Sequence, residues 1–296
     1  MTSSWRFFTI LLGSFLLSAL TCGIFGTYLV ELTGAAPHKI IGRLGLLLAL
    51  IGYWPWARAQ GLANRRDLGF APPIGAFART IGLGFAAGIL MLTILAGALL
   101  WLDIRLINPE LPVDPYRLPR GFAAGAVSGL LVGLIEESLF RGALFSAVRR
   151  QTGFLTSAIA PSLLFAALHF LKPQPLPPQA SIDLTGCFLS LTQAVPNLFQ
   201  AQHADSFLAL ALCGFLLALI REKTGHIGWC IGVHAGWVVV IRLLTSYTQA
   251  NPNASFGWLI GTYDGVIGWL AVTWLALVTL IYWVLGRIRT RAKKRR

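Results

Sequence analysis

The chain has 296 residues, of which 56% are hydrophobic and only 12% charged. Soluble domains carry about 25% charged residues, so a soluble globular fold is excluded and a polytopic membrane protein is expected. The formal net charge of +13 does not indicate nucleic acid, because much of the excess lies in the tail RIRTRAKKRR (287–296) directly after an apolar run. There it marks the cytoplasmic side and meets anionic lipid of the bilayer.

In chain order, the apolar runs predict membrane spans at 7–30, 40–57, 77–102, 121–148, 154–171, 206–221, 226–247 and 264–286. Each is near the roughly 20 residues that a crossing needs. The expected fold is all-α: a polytopic bundle of about eight transmembrane helices, forming a single transmembrane domain over 1–296. The first run, Phe7–Val30, is too long for the roughly 7–15-residue apolar region of a signal peptide, so it is read as a retained helix. KPQPLPPQ (172–179) reads as an external proline-rich turn. The stretch 182–199 either lies along the interface or covers the bundle. Of the cysteines, Cys22, Cys213 and Cys230 fall in spans and Cys187 does not. No CxxC pair occurs, so neither a disulfide framework nor a zinc framework is expected.

Basic residues set the expected orientation. Alternate segments hold Arg58, Arg65, Arg66, Arg79, Arg149, Arg150, Arg221 and Lys223, together with Arg6 and the tail. The opposite loops hold Lys39, Arg105, Arg117, Arg120 and Lys172. An even number of spans with both termini cytoplasmic follows, and the short loops suggest a bacterial inner membrane. Trp5, Trp54, Trp56, Trp101, Trp229 and Trp283 fall near span ends, as in an aromatic belt.

The fourth span contains GLIEESLFRG (133–142). A charge at the centre of a membrane helix costs about 2.5–3.5 kcal/mol on insertion scales, so Glu136, Glu137 and Arg141 demand partners or a function. Glu137 and Arg141 are four residues apart, share a face and can pair. Glu136 points about 100° away and is left without a cation on its own helix. It is either a neutral structural carboxyl or a general base for water. The fifth span contributes His169 within FAALH (165–169), and the seventh contributes His234 within GVHAGW (232–237). A lone histidine in a helix is more often a hydrogen-bonded core residue. Polar groups on three helices of one bundle, however, are expected to face a shared interior.

EESLFR (136–141), FAALH (165–169) and HAGWV (234–238) resemble, in order, the EExxxR, FxxxH and HxxxN motifs of the CPBP family of CAAX prenyl and bacteriocin-processing membrane proteases. The resemblance covers about 121–244. It implies an intramembrane endopeptidase of the glutamic type acting on a membrane-associated or lipidated peptide, including a prenylated tail, without a cofactor or metal. By that resemblance Glu136 and His169 activate water, Glu137 and Arg141 hold the shape of the site, and His234 helps stabilise the oxyanion. The third motif departs from the pattern: Val238 stands where the family commonly has Asn, and an oxyanion donor is lost. Arg242, two turns beyond His234, is a candidate neighbour. The competing readings are a zinc peptidase built on Glu136, His169 and His234, a non-catalytic immunity or chaperone-like protein, and a proton-coupled transporter. No inverted repeat is visible to favour the last.

Overall fold

The computed structural model describes residues 3–111 and 114–294. The chain runs through α1 (Ser3–Thr33), α2 (Pro37–Ala59), α3 (Ile74–Trp101), a short strand β1 (Arg105–Ile107) and α4 (Arg117–Glu137). A π-helical segment, Ser138–Leu144, continues α4 without a break into α5 (Phe145–Gln151). Then follow α6 (Phe154–Phe170), α7 (Leu184–Thr192), α8 (Val195–Leu198), α9 (Ala204–Thr224), α10 (Gly228–Tyr247), strand β2 (Thr248–Ala250) and α11 (Trp269–Lys294).

Among the described residues, seven helices are long and apolar enough to cross a membrane. The 17-residue α6 measures about 25 Å at 1.5 Å per residue, the short limit for a crossing. The outer faces are apolar: Leu90, Leu131 and Leu280 are each more than half exposed. In water such a surface would drive aggregation; against lipid it costs nothing. The protein is an integral, multi-pass membrane helix bundle. Of the basic tail at 287–296, residues 295 and 296 and the side chains from 289 onward lie outside the described residues.

The central packing is glycine-driven. Lipid tails are as apolar as leucine, so helices associate in a bilayer through close van der Waals contact rather than hydrophobic expulsion. Glycines recur every four residues on three helices: Gly84 and Gly88 on α3, Gly121, Gly125, Gly129 and Gly133 on α4, and Gly228, Gly232 and Gly236 on α10. A Cβ added at Gly129 would lie 2.7 Å from the Ala235 carbonyl oxygen, and one at Gly84 would lie 2.7 Å from that of Trp229. The α10 backbone is thus clamped between α3 and α4, which brings His234 level with the two glutamates.

The end of the bundle where α1 begins and α11 ends also carries the arginine-rich loops. Arg150 pairs with Asp67 at 2.5 Å and Arg149 with Glu222 at 2.9 Å, while Arg221 donates to the Asp67 carbonyl. At the opposite end β1 and β2 pair antiparallel, Arg105 opposite Ala250. The hydropathy pattern gives no hint of this clasp. Arg105 pins it, donating to Thr248 Oγ1 (2.6 Å), the Thr248 carbonyl (2.8 Å) and the Gly265 carbonyl (2.6 Å). The 182–199 stretch resolves as the cover: α7 lies on α1, with Cys187 Sγ 2.9 Å from Cys22 Sγ and both thiols fully buried. Trp56 is no belt residue. It is 4% exposed and packs edge-on against Phe7. The last helix begins at Trp269, later than the expected 264, because Asp264 Oδ1 accepts from the Val266 and Ile267 amides and holds a turn there.

Candidate active site

The motif 136–141 straddles the junction of α4 with the π-helical segment. At its C-terminal end the Phe145 amide donates to the Phe140 carbonyl, five residues back. Such widened turns are rare and often mark functional sites. They free backbone carbonyls, and here Arg221 Nε donates to the Arg141 oxygen at 3.2 Å. Gly142 allows the turn to pass over the 67–69 segment: a Cβ there would sit 2.9 Å from the Leu68 oxygen.

Glu137 and Arg141 pair as their spacing predicts, Arg141 Nη1 donating to Glu137 Oε1 at 3.0 Å. Both are buried, at 0% and 1% exposure. The arginine is further held by its guanidinium lying 4.6 Å from the Phe165 ring centroid, a cation–π contact strengthened by desolvation. The same Glu137 Oε1 accepts from His234 Nδ1 at 2.8 Å. The other ring nitrogen, His234 Nε2, is 3.9 Å from Glu136 Oε2. One imidazole therefore spans the two carboxylates, anchored on the ion-paired one and facing the other. Glu136 forms no ion pair with a cation of its own helix, and its Oε2 is buried with no hydrogen-bond partner among the described residues.

His169 sits at the last turn of α6, where its Nδ1 donates to the Phe165 carbonyl at 2.9 Å. The Phe165 ring lies between the two histidines, 4.6 Å from His169 and 6.2 Å from His234 between centroids. Both imidazoles line one cavity of about 440 Å³ with mainly apolar walls, including Leu92, Leu210 and Val238. The structure thus groups Glu136, Glu137, Arg141 and His234 by direct contact, and joins His169 to His234 through Phe165 and the cavity, whose lining does not include the two glutamates. Val238 does line that cavity, so the position where the family pattern carries an amide is apolar wall. Arg242 is not a neighbour of the site: it is exposed and its Cδ lies toward Gly125, because eight residues carry it about 80° around from His234.

Residues from the segments between helices complete the rim. Lys172, Tyr263 and Asp264 line the same cavity. Tyr263 donates to the His169 carbonyl at 3.0 Å, and Lys172 donates to Tyr263 Oη at 3.2 Å. Burial holds the Asp264 carboxyl above the usual carboxylate range, against the opposing pull of the Ile267 and Val266 amides and the Arg105 charge. In the structure these residues lie between helices, Lys172 just after α6 and Tyr263 and Asp264 ahead of α11, so no periodicity links them to the motifs. This rim lies at the clasp end of the bundle, away from the arginine-rich loops. Among the described residues no group of three His, Cys, Asp or Glu side chains is arranged to hold a metal ion.

No curated protein and no solved structure matches the chain. A family model does: residues 119–240 match the one described as Type II CAAX prenyl endopeptidase Rce1-like. The matched segment begins at the start of α4 and ends within α10, and it contains all the polar residues that converge around His234. On that match, with the three motifs in order and their side chains gathered inside a membrane bundle, the segment 119–240 is similar to the type II CAAX prenyl endopeptidases of the Rce1-like family.

Proposed function

We propose that the protein hydrolyses a peptide bond of a membrane-associated or lipidated substrate with a water activated by Glu136, assisted by His169. The single observation that carries this reading is the bridging imidazole of His234, fixed on Glu137 at 2.8 Å and facing Glu136 at 3.9 Å. Glu137 is neutralised by Arg141, so the two carboxylates have different tasks. The paired one orients a ring, and the unpaired one is available as a base. Glu136 takes a proton from water as the water oxygen bonds the carbonyl carbon. The resulting oxyanion collapses, the C–N bond breaks, and the proton passes from Glu136 to the leaving nitrogen. The products are a carboxylic acid and an amine, and the acid then ionises, its proton passing to the amine or to water. His234 contributes a donor to the oxyanion once Nε2 is protonated. The apolar cavity walls suit a hydrocarbon-modified or apolar peptide.

The test is cleavage of a fluorogenic, farnesylated peptide of CAAX form by purified protein in liposomes. Glu136→Gln keeps the shape and removes the base, and turnover is expected to fall to background while the protein still inserts. Full activity in that variant would end the reading.

One observation favours a second reading. Val238 gives the cavity wall no amide donor, as a non-catalytic member of the same fold would tolerate. In that case Glu136→Gln retains the biological function. For the side of the membrane, the arginine-rich end and the termini are proposed to face the cytoplasm of a bacterial inner membrane, with the tail from 287 against anionic lipid.

A further inference from the structure

The cover is drawn onto α1 at two glycines. A Cβ added at Gly23 would lie 2.7 Å from the Leu184 Cα, and one at Gly26 would lie 2.5 Å from Ile182 Cγ2. This close approach brings together two cysteines 165 positions apart. The sulfurs of Cys22 and Cys187 are 2.9 Å from each other, and both residues are 0% exposed. Cys213 and Cys230 are placed differently: Cys213 lines the cavity, and Cys230 Sγ donates to the Leu217 carbonyl at 3.3 Å.

As two thiols, the pair contributes little, since S–H is a weak donor and sulfur a weak acceptor. A disulfide needs sulfurs about 2.0 Å apart, so these have about 0.9 Å left to travel. Location supplies the conditions. At 1.5 Å per residue, Cys22 lies about 28 Å along α1 from Ser3, toward the clasp end. The proposed orientation puts that end outside the cytoplasm, where disulfides form and persist. The cover is also tied to the cavity rim. Ser190 Oγ donates to the Gln174 carbonyl at 2.6 Å, the Gln174 amide donates to the Ser190 carbonyl at 2.8 Å, and Gln174 Nε2 donates to the Lys172 carbonyl at 2.7 Å. A bond at Cys187 thus anchors, three residues away, the hydrogen bonds that hold Lys172.

We propose that Cys22 and Cys187 are a modification site, oxidised to a disulfide that locks the α7 cover onto α1. The oxidant is an extracytoplasmic disulfide donor. One cysteine thiolate attacks the donor disulfide, forming a mixed disulfide and releasing one donor thiol. The second cysteine thiolate displaces the remaining donor sulfur. The two cysteines lose two protons and two electrons in all, and the donor leaves as two thiols. Exchange precedes docking of the cover, because the docked sulfurs are fully buried. The link closes a long loop and therefore restricts the unfolded chain strongly. None of this depends on the protease reading.

The experiment takes the full chain from a bacterial inner membrane, quenches its thiols with acid, denatures it and labels it with maleimide-polyethylene glycol before and after reduction. The chain has four cysteines, so wild type is expected to take two tags before reduction and four after, and Cys22→Ser three in both cases. Mass spectrometry of the unreduced digest is expected to find the peptides of residues 22 and 187 joined. Four tags on unreduced wild type, or a different pair joined, overturns the proposal. The locking role is read in melting curves: reductant is expected to lower the wild-type melting temperature by about 4 °C or more and to leave Cys22→Ser unmoved. Equal shifts in both proteins, or none in wild type, overturns that role. If Cys22→Ser does not insert, Cys187→Ala is the control, and the wild-type tag count needs no variant.

Discussion

Replacing Arg141 with methionine isolates the energetics on which the site depends. The side chain is 1% exposed, donates to Glu137 at 3.0 Å and lies 4.6 Å from the Phe165 ring centroid. Methionine fills much of the volume but leaves the Glu137 carboxylate fully buried with only His234 as a partner. Removing one member of a buried pair typically costs about 3–5 kcal/mol, most of it the uncompensated charge that remains. If that is the origin of the cost, neutralising the carboxylate as well must recover much of it. Glu137→Gln/Arg141→Met is therefore expected to regain about 2 kcal/mol or more over Arg141→Met alone, giving a strong coupling energy in a double-mutant cycle. Reversible unfolding in mixed micelles, or steric trapping in bicelles, measures each corner of the cycle. A single-mutant loss below about 1 kcal/mol, or a double mutant no better than the single, would refute the assignment of Glu137 and Arg141 as a mutually dependent buried pair.

Two further outcomes follow from the packing and the rim. Gly129→Leu places a side chain where even a Cβ would sit 2.7 Å from the Ala235 oxygen. It is expected to push α4 off α10 and abolish both thermal stability and cleavage, whereas Gly97→Leu, with nothing within 4 Å, leaves melting temperature nearly unchanged; equal effects at the two positions would contradict the glycine clamp. The Asp264 carboxyl is held above its ordinary value of about 4 chiefly by burial, so the folded protein binds more protons than the unfolded chain just above that pH. Stability then falls as pH rises through that window. Asp264→Asn keeps the oxygen that accepts from Val266 and Ile267, and it is expected to flatten this decline in melting curves taken from pH 4 to 8; an unchanged slope would count against it.

The spans were legible because a bilayer imposes one strong requirement, about 20 apolar residues per crossing, and each of the expected runs coincides with a helix. The pairing of Glu137 with Arg141 and the isolation of Glu136 were legible from helical spacing alone. Three features were not. The π-helical segment is a matter of one surplus residue and leaves no hydropathy signal. The β1–β2 clasp joins residues more than 140 positions apart through Arg105, a distance that periodicity does not bridge. The rim residues Lys172, Tyr263 and Asp264 reach the cavity from loops. One signal was present and unused: the four-residue glycine repeat on α3, α4 and α10, which shows which helices touch and so which histidine meets the glutamates.

The widened turn at 138–144 also sets the azimuth of everything after it. A single supernumerary residue in a continuous rod advances each later side chain by about 100°. Ser146 and Arg150, which grip the Asp67 carbonyl and carboxylate, arrive on the correct side only because of that advance. Excising one residue there would regularise the rod yet rotate its lower third out of mesh with the 60–69 segment, so anchorage downstream and acid placement upstream are geared through the same irregularity.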